Sequence, residues 1–259
     1  MNSTIRIGSA NTGSEMRKTL DSSYRGKSPA GALEQVDCTL NILEELVHKA
    51  GAAGCDVVAF SEDTLAINRW SAGNWEKVGE LLPHAVTRML ERLGQAAASH
   101  NMYLLCCSDA LEDDAVYNTA YFLGRDGAEI GRYHKVFLPV FEQLKKHGEG
   151  FPVFETPDLG SVGMTICYDI VFPESVRCLA LGGAEVVFNL TLGGAAFGGD
   201  EISHAAFRTR AAENFVYLVV SWGAWGTDTG SMILSPKGEI LVEEMKPGEV
   251  AIAEIDPTD

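Results

Sequence analysis

Cys167, Glu62 and Lys135 have side chains and positions that could work together in nucleophilic chemistry within this 259-residue chain. Cys167 closes the strand-like run Val162 to Ile166 and precedes a helix opened by Pro173, which puts the thiol near a helix's positive end. That field lowers a thiol pKa and the Asp169 and Glu174 carboxylates raise it, so the sequence leaves the direction of the shift open. A cysteine nucleophile also needs a base, an oxyanion stabiliser and a closed site. Glu62 stands at the C-terminal end of the buried-type strand Cys55 to Ser61, where α/β folds keep their chemistry. Lys135 follows a β-hairpin inside Tyr-His-Lys-Val-Phe-Leu-Pro, surroundings apolar enough that its ammonium needs a carboxylate partner. Singly, each has a plainer reading: a structural buried cysteine, a solvated capping carboxylate (a role Asp63 could equally fill) and a surface charge.

The elements that must position these groups alternate between strand and helix. Residues 5 to 10 form a β-branched strand, followed by a polar, Gly/Ser-rich stretch from Ala10 to Ala30 that reads as a loop or inserted lid. Gly31 to Ala50 carries Leu33, Val36, Leu40, Leu43, Leu46 and Val47 at helical spacing. A second helix is expected from Pro83 to His100, then a strand from Met102 to Ser108. Tyr117 to Leu123 and Glu129 to Tyr133 form a hairpin about an Asp-Gly turn, and the chain leaves it directly into His134 and Lys135. After Cys167 the order continues with a helix to about Leu181, a strand from Glu185 to Leu190, a Gly-rich loop and a helix from Glu201 to Asn214. Strands at Val216 to Ser221, Ser231 to Leu234, Ile240 to Glu243 and Val250 to Ile255 end the chain.

Composition narrows the partners. At 46% hydrophobic the chain can bury a large core, and one domain over residues 1–259 is expected. A formal net charge of -16 argues against nucleic acid and against an anionic membrane surface, leaving a small molecule or another subunit. Apolar runs are too short to span a membrane, and the N-terminus lacks the pattern of a secretory signal, so the expected location is cytoplasmic. The six cysteines show no metal or redox spacing, and adjacent Cys106 and Cys107 on one strand should point to opposite faces. The same rule turns His134 away from any site that Lys135 faces, against a Cys-His pair. The Gly-rich stretch from Leu192 to Gly199 lacks the ending of a phosphate loop and reads as a flexible substrate loop.

Three ordered motifs resemble the nitrilase (carbon-nitrogen hydrolase) superfamily: Val58-Ala59-Phe60-Ser61-Glu62, Gly131-Arg132-Tyr133-His134-Lys135-Val136-Phe137-Leu138-Pro139, and Gly163-Met164-Thr165-Ile166-Cys167-Tyr168-Asp169-Ile170-Val171-Phe172-Pro173-Glu174. Further similarity at Arg177 to Glu185 and Arg210 to Asn214 extends the resemblance over most of the chain. It implies a four-layer α-β-β-α sandwich that pairs across outer helices into homodimers or larger even assemblies. It also implies Glu62 as general base, Lys135 as oxyanion stabiliser, Cys167 as nucleophile, the Tyr168 backbone N–H as second oxyanion donor, and Glu142 as a second glutamate that positions substrate. The implied mechanism uses no cofactor and no metal.

The expected reaction is hydrolysis of a non-peptide C–N bond in a small amide or N-carbamoyl compound through a thioester. Tyr168-Asp169 after the nucleophile, in place of Trp-Glu, disfavours a nitrile substrate, and Val171 removes one expected guanidinium for a substrate carboxylate. Three aromatics, Phe197, Trp222 and Trp225, could line an apolar acyl pocket, although core packing is the commoner fate of such residues. Alternatives are an omega-amidase or glutaminase-like enzyme anchoring a carboxylate on Arg208 or Arg210, a nitrilase, and a catalytically silent scaffold subunit. The apolar residues of the Pro173 helix and the C-terminal strand are the expected subunit interface.

Overall fold

The computed structural model describes residues 4–193, 200–224 and 229–257. Two six-stranded sheets stack face to face with helices on both outer sides, the expected four-layer α/β sandwich. The first half of the chain runs β1 (Ile5–Ala10), α1 (Ser14–Ser23), α2 (Pro29–Ala52), β2 (Val57–Ala59), α3 (Asn68–Gly73), α4 (Val78–Ala98), β3 (Tyr103–Glu112), β4 (Ala115–Leu123) and β5 (Glu129–His134). The second half runs β6 (Val153–Glu155), β7 (Ser161–Ile166), α5 (Pro173–Leu181), β8 (Val186–Thr191), α6 (Asp200–Asn214), β9 (Tyr217–Trp222), β10 (Ser231–Leu234), β11 (Ile240–Glu244) and β12 (Val250–Ile255).

The first sheet has the order β12-β1-β2-β3-β4-β5 and the second β11-β10-β9-β8-β7-β6. Each has three parallel strands at its centre, β1-β2-β3 and β7-β8-β9, flanked by antiparallel partners. Strand alternation sorts the apolar residues into separate cores. Val57 and Ala59 face the second sheet, as do Val186, Phe188 and Leu190 from the other side. Val58 instead packs beneath α2 and α4, and Val187 beneath α5 and α6. The same rule separates Cys106, in the helix-facing core, from Cys107, in the core between the sheets. Hydroxyls stitch the sheets together: Ser9 donates to the Val220 carbonyl at 2.9 Å and Ser221 to that of Ala59 at 3.2 Å.

Several boundaries differ from the sequence expectation. The stretch from Ala10 to Ala30 is largely helical rather than loop: α1 occupies Ser14–Ser23, and α2 already starts at Pro29, capped by the Ser28 side chain on the Gly31 N–H. Besides Leu20, α1 buries two charged residues, Arg17 and Asp21, so its inward face does not read as apolar. Arg17 is satisfied by Asp21 at 2.9 Å and by Asp63. Helix α4 begins five residues before Pro83, which it accommodates at the cost of the N–H that would reach back to the Gly79 carbonyl. Strand β3 extends to Glu112 and turns through Asp113 and Asp114, both at positive φ, directly into β4. Among the described residues no helix is long and apolar enough to cross a membrane.

Candidate active site

Glu62 lies just beyond β2, where the backbone keeps bonding to β3: Phe60 N–H to the Leu105 carbonyl at 2.9 Å and Thr64 N–H to that of Cys107 at 2.7 Å. The choice between Glu62 and Asp63 as the capping carboxylate is settled by their partners. Asp63, at φ 50°, accepts from the Ile67 N–H at 2.9 Å and the Asn68 N–H at 3.1 Å and so caps α3. Glu62 turns the other way and is buried between the sheets. Its Oε1 accepts from Lys135 Nζ at 2.9 Å and Asn118 Nδ2 at 2.8 Å, and its Oε2 from the Leu192 N–H at 3.3 Å.

Lys135 follows β5, its backbone still paired with Asn118 and Gly148. The alternation that points His134 outward to stack on Tyr117 at 4.4 Å points the Lys135 ammonium inward. Its carboxylate partners are Glu62 and Glu142, whose Oε2 is 3.1 Å away. Glu142 ends a 3-10 turn, Val140–Glu142, which exposes Val140 and Phe141 while burying the carboxylate. Its Oε2 sits beside Lys135 without hydrogen-bond alignment to any described residue, so a buried acceptor remains for a further donor. Lys145 extends the cluster, 2.6 Å from Asp109 and 3.8 Å from Glu142.

Cys167 starts the 3-10 turn Cys167–Val171 between β7 and α5, at φ 45°. A non-glycine residue in this left-handed region is strained and persists only where its surroundings hold it. Asp169 supplies that hold: its Oδ2 accepts from the Ile166 N–H at 2.9 Å and the Tyr133 hydroxyl at 2.7 Å, and its Oδ1 from the Phe137 N–H at 2.8 Å. Phe137 and Phe172 stack above at 4.0 Å. One buried carboxylate thus fastens the Cys167 turn to the strand and loop that carry Lys135. Burial pushes it up to about 6, against the pull of those three donors.

The electrostatics bind the group together. Burial alone would disfavour charge on Glu62, but the Lys135 ammonium, by charge and hydrogen bond, brings it below the usual carboxylate range. Lys135 overcomes its own burial through Glu62, Cys167 and Glu142 and is raised well above an ordinary lysine. Of the opposing influences on the Cys167 thiol, those that raise its pKa win. Burial and the adjacent Glu62 charge push it up to about 12, outweighing Lys135 and a hydrogen bond with Thr191. The helix that was to lower it begins at Pro173, beyond the intervening 3-10 turn, and helix fields fade within a turn. The resting pair is a neutral Cys167 thiol beside an ionised Glu62.

Glu62, Lys135, Glu142 and Cys167 line one cavity of about 600 Å³, walled further by Trp75, Phe141, Leu144 and Leu192. A neighbouring cavity of about 580 Å³ beside α1 holds no comparable nucleophile and base among its lining residues. Tyr168 does not line the catalytic cavity; its ring packs edge-on against Phe172 at 5.3 Å. Trp222 is core, edge-on to Phe207 at 6.3 Å and pressed beneath Gly193. Phe197, Trp225 and the glycines from 194 to 199 lie outside the described residues. Neither arginine proposed as a carboxylate anchor reaches the cavity: Arg208 donates to the Gly238 carbonyl and Arg210 to those of Ile170 and Val171, behind the nucleophile's turn. Asn118, Asp109 and Lys145 were not foreseen. Asn118 had a readable signal, a carboxamide on the inward face of β4 that also bears Ala120 and Phe122.

The carbon-nitrogen hydrolase family model matches residues 29–259. The chain is 33% identical over 229 residues to a nitrilase of Pyrococcus abyssi, covering 82% of this chain and 81% of that protein. It is 28% identical over 238 residues to the deaminated glutathione amidase of Synechocystis sp., covering 83% and 84% respectively. Among solved structures, a mutant of the amidase from Nesterenkonia sp. AN1 superposes with a TM-score of 0.77 at 20% identity, covering 100% of this chain and 93% of that one.

Proposed function

This chain belongs to the carbon-nitrogen hydrolase family, and from that premise we propose that it hydrolyses a non-peptide C–N bond in a small amide or N-carbamoyl compound through a Cys167 thioester. The observation that carries this reading is the convergence of Glu62, Lys135 and Cys167 in one cavity, with the lysine 2.9 Å from the glutamate. With the thiol held neutral, Glu62 removes its proton as the sulfur attacks the carbonyl carbon, so no free thiolate has to form in the dry pocket. The Lys135 ammonium and the Tyr168 N–H stabilise the oxyanion; an early N–H in the Cys167–Val171 turn has no partner within that turn. Collapse breaks the C–N bond, and protonated Glu62 delivers the same proton to the departing nitrogen. Water, deprotonated by Glu62, then attacks the thioester. Its collapse releases the acid and a thiolate that recovers its proton from Glu62.

Glu142 is the substrate-positioning carboxylate in this scheme, its Oε2, ion-paired with Lys135 but without an aligned hydrogen-bond donor, accepting an N–H of the scissile amide. No metal or cofactor enters any step. Subunits pair as a homodimer or a larger even assembly in this reading. Leu181 and Phe215, exposed on the α5 and α6 side, are better interface candidates than the C-terminal strand, whose Val250 and Ile255 are buried.

The test is ammonia release by the purified protein over aliphatic and aromatic amides, N-carbamoyl amino acids and nitriles, with Cys167→Ala as control. Release from an amide or carbamoyl class, abolished in Cys167→Ala, is the expected result. Release from nitriles alone would move the enzyme to the nitrilase branch, and silence across the panel would favour a non-catalytic subunit.

A further inference from the structure

Helix α3 forms a wall of the catalytic cavity that the mechanism above leaves unused. Asn68, Arg69, Ser71 and Ala72 all line it. Two polar atoms on this wall, Asn68 Oδ1 and Ser71 Oγ, are buried without a hydrogen-bond partner among the described residues. Buried groups of this kind are rare because each forfeits its bonds to water, and two neighbouring ones beside a cavity point to a ligand that completes them.

The charge on the same wall gives that ligand its sign. Lys135 and Lys145, the other cations lining the cavity, are held by Glu62, Glu142 and Asp109 within the catalytic cluster. Arg69 stands outside that cluster, met on its Nε by Asp21 at 3.5 Å from the side of the neighbouring cavity. A guanidinium presents a planar fork of donors suited to a carboxylate, and a serine hydroxyl beside it can donate to the same group. The cavity lining also includes the apolar Trp75, Leu144 and Leu192, which suits a short alkyl spacer.

We propose that α3 reads the end of the substrate remote from the scissile bond, with Arg69 and Ser71 binding a carboxylate there and Asn68 Oδ1 accepting a donor next to it. The preferred substrate is then an amide that carries an acid on a short chain. Arg69 is a specificity-determining residue, in the role that Arg208 and Arg210 cannot fill. The proposal rests on the hydrolase reading for its chemistry but not for its binding.

The experiment compares matched pairs, succinamate with butyramide and glutaramate with pentanamide, in the unmodified protein and in Arg69→Gln, Arg69→Lys and Ser71→Ala. The unmodified protein should favour the acid of each pair in kcat/KM. Arg69→Gln should lower kcat/KM for the acid by about 10- to 100-fold, the worth of a charged hydrogen bond, mostly through KM. The neutral amide should lose much less than the acid, so that the acid-to-neutral ratio falls, and Arg69→Lys should restore part of the preference. Hydrolysis of both members with no acid preference, or a preference that survives Arg69→Gln, would overturn the α3 proposal and leave the hydrolase reading standing. If neither member is hydrolysed, the hydrolase reading is left to the wider amide and carbamoyl panel, and calorimetry with glutaramate decides the binding claim. Binding that Arg69→Gln weakens supports it; absence of binding overturns it.

Discussion

The two sheets bring different things to the active site. The first contributes the ionised groups, Glu62 beyond β2 and Lys135 beyond β5, held by Asn118 on β4 and Glu142 on the following loop. Each of these charges is balanced within a few ångströms, so this half is a closed ionic lattice that tolerates burial. The second sheet contributes a neutral thiol on a strained turn, with Thr191 and the Leu192 N–H beside it. The first half therefore holds the paired charges around Glu62 and Lys135, and the second holds a neutral thiol at positive φ. Keeping them on separate sheets lets the base stay ionised while the nucleophile stays protonated until a substrate enters between them. Asp169 is the bridge, rooted on the nucleophile's turn and bonded to Tyr133 and Phe137 of the other half.

Breaking the ionic half should have the largest effect. Lys135→Met keeps the side chain's length and removes its charge, leaving Glu62 and Glu142 facing each other in a buried pocket. Loss of one partner from a buried ion pair costs about 3–5 kcal/mol, and activity should vanish with it. Urea unfolding and ammonia release measure the two losses. Unchanged stability would mean that the lattice is more hydrated than its burial indicates.

Breaking the bridge should come next. Asp169→Asn keeps the shape but turns one acceptor into a donor, so it cannot satisfy the Phe137 N–H together with Ile166 N–H and the Tyr133 hydroxyl. About 1–3 kcal/mol of stability should be lost. The turn that aims Cys167 should loosen, and kcat should fall by roughly 100-fold with KM little changed. A variant with full kcat would show that the positive φ of Cys167 is held by its neighbours without Asp169.

The same division explains what the sequence made legible. Glu62, Lys135 and Cys167 stand at strand ends in short local motifs, and the buried apolar runs of β2, β7 and β8 mark both sheets, so the strands that carry these residues were legible from local sequence. Groups whose meaning depends on a distant partner could not. Helix α1 looked like a loop because Arg17 and Asp21 occupy its inward face, and the pairing that offsets their burial includes Asp63, 46 residues beyond Arg17. Lys145 looked like part of a charged loop because its partner Asp109 lies 36 residues earlier. Local field arguments also left the Cys167 shift open. The helix N-terminus was visible in Pro173, but the burial and Glu62 charge that outweigh it come from the tertiary packing.

The smallest expected effect separates the lattice's edge from its centre. Burial pushes Asp109 up to about 6 despite Lys145 at 2.6 Å. A carboxyl whose folded pKa lies above its unfolded value binds its proton more tightly in the native state. Its contribution to stability is therefore full below about pH 4 and declines as pH rises toward 6. For activity the direction is opposite. As pH falls through about 6, Asp109 loses its charge, and Lys145 is left to Glu142, 3.8 Å away. That draws Glu142 from Lys135 and should lower kcat/KM several-fold on an acid limb. Asp109→Asn fixes the uncharged state, so its rate should lie near the wild type's acid plateau and stay flat between about pH 5 and 7. Asp169 also titrates at about 6, so a limb that persists in Asp109→Asn and disappears in Asp169→Asn would assign the titration to the bridge and leave the Lys145 end of the lattice without a role in catalysis.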